Sequence, residues 1–312
     1  MADTHYDVII IGSGPGGGAT AAKLAPMGKR ILLLERGEYL PRTPHNWDSK
    51  SVFVDGKYQA KETWYDSKGN SFAPGLHYFV GGNSKVYGAA LLRMRERDFG
   101  EVEQVVCVDP TLRAHDNLTL LTGAYVSKLE TDPSGERISG VVVERDGEVI
   151  TYTVVVACGA LSSALLLLRS ANDKHPNGLA NRSGQLGRNY MRHNQSVLMA
   201  LTRHVNDTIF QKTLALSDFY FASEEWRYPL GLIQMCATTH GAQIKGEVLP
   251  EWLKWFPDMP FEMLARRSLD FWLTSEDLPR PENRIFYDGG KVTLDVAENN
   301  MEAPSCCRFH GH

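Results

Sequence analysis

The residues best suited to chemistry stand near the start of the chain. Gly12, Ser13, Gly14 and Gly17 lie in Gly12-Ser13-Gly14-Pro15-Gly16-Gly17-Gly18. An apolar, β-branched run, Asp7-Val8-Ile9-Ile10-Ile11, precedes them, and Ala19-Thr20-Ala21-Ala22-Lys23-Leu24-Ala25, with helix propensity, follows. Glycines at this spacing between a strand and a helix suit a pyrophosphate. Gly12 permits the tight turn, Gly14 lets the backbone approach the anion, and Gly17 lets helix and strand pack closely. The helix N-terminus adds free N–H groups and a positive dipole end. The next apolar run, Lys29-Arg30-Ile31-Leu32-Leu33-Leu34, ends in Glu35 with Arg36 beside it. Glu35 follows Gly12 by 23 positions, where a carboxylate accepts hydrogen bonds from ribose hydroxyls. Its charge disfavours a 2′-phosphate, and so NADP. A dinucleotide site is expected; the motif alone fits NAD or FAD.

Other reactive side chains form no comparable constellation. Five cysteines (107, 158, 236, 306 and 307) have no Cys-x-x-Cys spacing, and Cys158 and Cys236 sit in apolar surroundings typical of inert core thiols. Cys306, Cys307, His310 and His312 are zinc-ligand types, but adjacent cysteines on a short tail do not make a site, so no metal is expected. His193 and His240 have no partner at a telling spacing. No catalytic residue is assigned from the pattern.

These residues need elements to position them. Strand, glycine turn, helix and strand within about 30 residues form a βαβ unit. Residues 41–75, rich in Pro, Trp, Asp and Lys, read as an excursion or long loop. Leu118–Leu121 and Tyr125–Leu129 read as strands. A hairpin is expected from Ile138–Glu144 and Glu148–Val156, with turns at Pro133-Ser134-Gly135 and Asp146-Gly147. Val149 to Leu168 is 20 residues without a charge, about the length of a membrane span. Its β-branched run, Cys158-Gly159 turn and Leu-rich end instead read as a strand, turn and helix buried in a parallel sheet.

The whole chain has 312 residues, 43% hydrophobic and 22% charged, which fits about two globular domains rather than a disordered chain. A net charge of −4 gives no basic surface for nucleic acid. The N-terminus carries neither a basic region nor an apolar signal core, so a reducing, cytoplasmic setting is expected.

A second glycine segment sharpens the choice of nucleotide. His77-Tyr78-Phe79-Val80-Gly81-Gly82-Asn83-Ser84-Lys85-Val86-Tyr87-Gly88-Ala89-Ala90 leads to Arg93 and then Arg97-Asp98-Phe99. With the first motif it resembles the glucose–methanol–choline (GMC) oxidoreductases, FAD enzymes whose second signature is a Gly-Gly-x-Ser/Thr loop. Asn117–Val126 is similar to the family strand whose backbone, at Val126, meets adenine. Val155-Val156-Ala157-Cys158-Gly159-Ala160 is similar to the segment that closes the FAD fold. Gly178-Leu179-Ala180-Asn181 and Gly187–His193 resemble the linker to a substrate domain, and Glu276–Pro279 with Asn283-Arg284 a strand entry within it.

The resemblance implies an α/β fold: a Rossmann-like FAD-binding domain with a parallel central sheet over 1–194, and an α+β substrate domain with a mostly antiparallel sheet over 195–300. Residues 301–312 are an irregular tail. It also implies noncovalent FAD, His77 lying at the wrong offset for a tether. The contacts carried over are Gly12, Ser13, Gly14, Gly17, Glu35, Arg36, Gly82, Asn83, Ser84, Tyr87, Gly88, Val126, Ala157 and Gly159. The implied reaction passes hydride from the CH–OH of a small alcohol or sugar to flavin, the final electron acceptor being unspecified.

Two departures bear on this. Asp98-Phe99-Gly100 passes almost directly into Cys107-Val108-Asp109-Pro110, where family members continue through a longer segment. The family's C-terminal His pair, or His and Asn, has no counterpart after Asn299-Asn300. The cofactor half is thus assigned and catalytic competence is left open. An inactive FAD-binding remnant and an NAD-dependent dehydrogenase are the alternatives.

Overall fold

The computed structural model describes residues 6–48, 50–86, 108–144, 149–150, 153–208, 214–218, 220, 231–236, 239–253 and 255–297. The chain divides into two compact units, one of 1–41, 60–190 and 281–296, the other of 42–59, 191–280 and 297–312.

The first unit is built on a four-stranded sheet of β1 (Val8–Ile11), β2 (Ile31–Leu34), β5 (Leu118–Leu121) and β9 (Thr153–Val156), in the order β5-β2-β1-β9. Every pairing in it is parallel. The β-branched and Leu-rich runs make such a sheet because both faces are covered. Ile9, Ile11, Leu32 and Leu34 pack on one side with Val126, Leu129, Val141 and Leu166. Val8, Ile10, Ile31 and Leu33 pack on the other with Ala21 and Ala25. Ile9, Ile10, Ile31 and Leu33 are fully buried, each contributing about 1.5–3 kcal/mol.

Helix α1 (Pro15–Leu24) starts with Pro15 in its first turn, where a missing N–H costs nothing. A short helix, α2 (Val108–Ala114), leads into β5. Asn117 then brackets the β1–β2 crossover, its Nδ2 donating to the Ala25 and Lys29 carbonyls at 2.9 and 2.7 Å.

A three-stranded antiparallel sheet of β6 (Val126–Thr131), β7 (Ile138–Val143) and β8 (Val149–Ile150) covers one face. The expected continuous strand over Glu148–Val156 is corrected here. Val149–Ile150 stays with β7, whereas Thr153–Val156 crosses to pair with β1 in the central sheet. One apolar stretch therefore serves two sheets; the Asp146-Gly147 turn falls outside the described residues. The uncharged stretch does resolve into strand, turn and helix, the helix being α3 (Ala160–Arg169). Among the described residues no helix is long and apolar enough to cross a membrane.

A third sheet joins β3 (Trp64–Tyr65) and β4 (Ser71–Phe72) to β14 (Arg284–Asp288) and β15 (Lys291–Asp295), in the order β14-β15-β3-β4. Trp64, Ile285 and Val292 pack with Leu165 of α3. The sequence pattern groups β14 and β15 with 195–300; contacts return them to the first unit.

The second unit holds an antiparallel sheet of β10 (His193–Leu201), β11 (Ala215–Leu216), β12 (Leu232–Met235) and β13 (Ser268–Glu276), in the order β10-β13-β12-β11. Helices α4 (Gly241–Val248) and α5 (Met259–Ala265) belong to it. His240 caps α4 and lies 3.4 Å from Asp48 and 3.3 Å from Glu262, a structural role.

Ser170, fully buried after α3, accepts a hydrogen bond from Leu129 N at 2.9 Å and donates one to Leu166 O at 2.6 Å. Ser170→Ala strands the Leu129 N–H inside the protein, and a loss of about 1–3 kcal/mol is expected. Urea unfolding with an unchanged slope measures it; an unshifted midpoint would refute this reading.

Candidate functional site

A cavity of about 700 Å³ opens in the first unit, lined from both glycine segments, the C-terminal end of β2 and the start of α3. Gly12 makes the turn out of β1 at φ +98°, a backbone conformation open chiefly to glycine. A Cβ there would stand 2.5 Å from the Ala157 carbonyl oxygen, and one on Gly17 only 1.8 Å from the Gly12 carbonyl oxygen. Side chains are excluded because three backbone segments meet.

The second glycine segment joins them. Gly82, at φ +68°, would place a Cβ 3.1 Å from the Gly14 Cα. The Gly81 N–H donates to Ser13 Oγ at 3.0 Å. Asn83 Oδ1 accepts from the His77 N–H at 2.8 Å, and Ser84 Oγ donates to the Gly81 carbonyl at 2.6 Å, closing the loop on itself.

Two helix N-termini point into this space. Neither α1, beginning after Gly14, nor α3, beginning after Gly159, has a side-chain cap or an acid in its first turn. Gly14, Pro15 and Gly16 of one and Gly159 to Ser163 of the other line the cavity. Free N–H groups and two positive dipole ends are thus offered to an anion.

Glu35 is buried to 6% exposure at the end of β2. Its Oε2 accepts from Ser13 N at 2.9 Å and Ser13 Oγ at 2.5 Å, and its Oε1 from Gly37 N at 2.9 Å. A carboxylate has about four acceptor positions, so one stays available to a ribose hydroxyl.

Of the expected contacts, Gly12, Gly14, Glu35, Arg36, Gly82, Asn83, Ser84, Val126, Ala157 and Gly159 line the cavity. Ser13 and Gly17 lie behind that wall, Ser13 bonding Glu35 and Gly17 packing on Gly12. Tyr87 and Gly88 lie outside the described residues, as do Cys107, Cys306, Cys307, His310 and His312. Among the described residues no group of three or more His, Cys, Asp or Glu is placed to hold a metal. Sequence reading missed Glu62, Trp64, Tyr78, Tyr125 and Arg169, which also line the cavity. Glu62 and Trp64 come from the excursion over 41–75, which shows no periodicity to flag them.

His77 also faces the cavity, and burial lowers its pKa, keeping the imidazole neutral near pH 7. Burial pushes the Cys158 thiol up to about 11.

Residues 104–195 match the GMC oxidoreductase family. The chain is 34% identical over 113 residues to 6'''-hydroxyparomomycin C oxidase of Streptomyces lividus, covering 35% of this chain and 19% of that protein. It is 41% identical over 81 residues to paromamine 6'-oxidase of Streptomyces fradiae, covering 25% and 15%. It is 35% identical over 209 residues to the fructose dehydrogenase large subunit of Gluconobacter japonicus, covering 57% and 36%. The matches thus span well under half of each relative. Among solved structures, the fold resembles pyridoxine 4-oxidase from Mesorbium loti at TM-score 0.61 and 16% identity, covering 93% of this chain and 76% of that one. It also resembles an Aspergillus oryzae formate oxidase, studied for FAD modification, at TM-score 0.60 and 11% identity, covering 95% and 78%.

The Cys158 shift gives a direct expectation. A thiol raised from 9.0 to about 11 keeps its proton longer in the fold, so its contribution to stability is full below about pH 9 and falls as pH rises toward 11. Alkylation of Cys158 at pH 8 should run about a hundredfold slower than for an unperturbed thiol, read by peptide mass spectrometry. Labelling at the rate of a free thiol would contradict the assignment.

Proposed function

We propose that this chain, a GMC family FAD oxidoreductase over the part its relatives match, holds FAD in the 700 Å³ cavity and oxidises the CH–OH group of an alcohol or sugar. The observation that carries the reading is the meeting of Gly12, Gly14, Gly82 and Ala157, where a Cβ at Gly12 or Gly82 would fill the space next to the backbone. A nucleotide with a long, flat second half suits a cradle with two glycine walls better than a single nicotinamide site does. The named activities of the matched oxidases and dehydrogenase support a sugar or alcohol donor.

In this reading the N–H groups at the start of α1 bind pyrophosphate oxygens. Glu35 holds a ribose hydroxyl with its remaining acceptor position and repels a 2′-phosphate. The Val126 backbone meets adenine, while Gly82, Asn83 and Ser84 cover the ligand beyond the phosphates. FAD, when bound, would supply the acceptor for the hydride of the CH–OH carbon, the hydroxyl proton passing to water, so that the alcohol would leave as a carbonyl compound. The Ala157–Ser163 wall and the partly buried His77 limit water near the ring. The unit of 1–41, 60–190 and 281–296 is proposed as the cofactor domain, and 191–280 with 42–59 as the substrate domain. A reducing cytoplasmic setting belongs to the same reading.

The purified chain is expected to be yellow and to release FAD on denaturation. Anaerobic addition of alcohols and sugars should bleach the bound flavin with at least one donor. A colourless chain that binds NADH would overturn the cofactor, and a yellow chain that no donor bleaches would overturn the reaction.

A further inference from the structure

Arg36 follows the ribose carboxylate directly, yet its guanidinium is turned to protein partners. Its Cζ lies over the Tyr78 ring at 4.0 Å and over the Tyr125 ring at 4.3 Å. It also forms an ion pair with Glu62. Glu62 is held in turn by Tyr78 OH at 3.1 Å and Trp64 Nε1 at 3.3 Å. The Tyr125 hydroxyl accepts from Arg169, whose guanidinium lies 5.0 Å over the Tyr287 ring.

Each of these partners sits at the root of a cavity wall. Tyr78 precedes the second glycine loop, Tyr125 precedes Val126, and Glu62 and Trp64 belong to the stretch that returns from the excursion. The backbones are as close as the side chains. A Cβ on Gly37 would stand 1.9 Å from the Tyr78 carbonyl oxygen, Val80 N donates to Glu38 O at 3.1 Å, and Ala124 N donates to Glu35 O at 2.8 Å.

With its charge met by Glu62 and two aromatic rings against it, the guanidinium is committed to the walls rather than to a phosphate. Its side chain is 35% exposed and that of Glu62 26%, so the contacts are partly withdrawn from water, which strengthens cation–π attraction. A planar guanidinium can lie flat between two rings while its edge pairs with a carboxylate; an ammonium has neither a flat face to stack nor a fork of donors.

We propose that Arg36 is a positioning residue for the cofactor: by joining Tyr78, Tyr125 and Glu62, it clamps the second glycine loop and the Val126 backbone to the Glu35 turn and sets the residence time of FAD. The proposal rests on the FAD-binding reading above. It differs from a direct contact of Arg36 with the ligand, because what the residue holds is the relation between three walls.

The test is the rate of FAD release from the purified holoprotein, followed by flavin fluorescence, with iodide quenching of the bound flavin as a second readout. Arg36→Leu should release FAD about tenfold faster and admit more iodide, and Arg36→Lys should not restore the wild-type rate. Glu62→Gln, nearly isosteric and so safe for folding, should release FAD about threefold faster or more, since it removes only the ion pair. Arg36→Leu and Tyr78→Leu should be non-additive, each removing the same contact. Full rescue by Arg36→Lys, or wild-type release from Glu62→Gln, would overturn the clamp. Failure of the wild-type chain to retain FAD would instead overturn the proposed function itself, so the two failures are distinguishable.

Discussion

A carboxyl group buried to 6% exposure needs hydrogen-bond donors, and Glu35 finds them in the turns on either side of it. Ser13 supplies two hydrogen bonds and Gly37 one. Because Ser13 Oγ also accepts from the Gly81 N–H, the same short chain of bonds reaches from the end of β2, through the first glycine turn, to the second glycine loop. Replacing any link would leave a buried polar group without its partner, which is why the Gly12 turn, the Glu35 turn and the Gly81 loop stand or fall together. The cavity is a by-product of this arrangement. Its walls come together where glycine leaves no side chain in the way.

Much of this was legible in residue order because it is local. The strand, glycine turn, helix, strand and acid occupy residues 7–35, and each signal there is a short-range one: β-branched runs, a spacing of glycines, a charge at a fixed distance. The uncharged run over 149–168 was legible for the same reason, its turn falling at Cys158-Gly159. What could not be read is long-range. Glu62 and Trp64 lie in strands or turns too short to have a period, since β3 has two residues, and their importance comes from Arg36 and from β15, more than 200 positions away in the latter case. Likewise nothing in Val149–Val156 announces that its first two residues pair with β7 and its last four with β1; that division is set by the sheets waiting on either side.

The second unit contrasts with the first. Its sheet is antiparallel throughout, and β10, paired with β13 along nine residues, exposes Val197, Leu198 and Leu201. The parallel sheet of the first unit has no such exposure, since both its faces are covered. The two units therefore obey different burial rules, one sheet being covered on both faces and the other leaving apolar residues exposed.

The first unit is also assembled from three separated stretches of chain, and this has a consequence in time. Strand β1 begins at residue 8 and β14 at residue 284. At a synthesis rate of about 5–20 residues per second, roughly 14–55 s pass between their emergence from the ribosome. Through that interval Trp64 and Leu165 lack Ile285 and Val292, the residues that complete their cluster. The first unit must wait for β14 and β15 to emerge, with an apolar face open, before its last sheet can close.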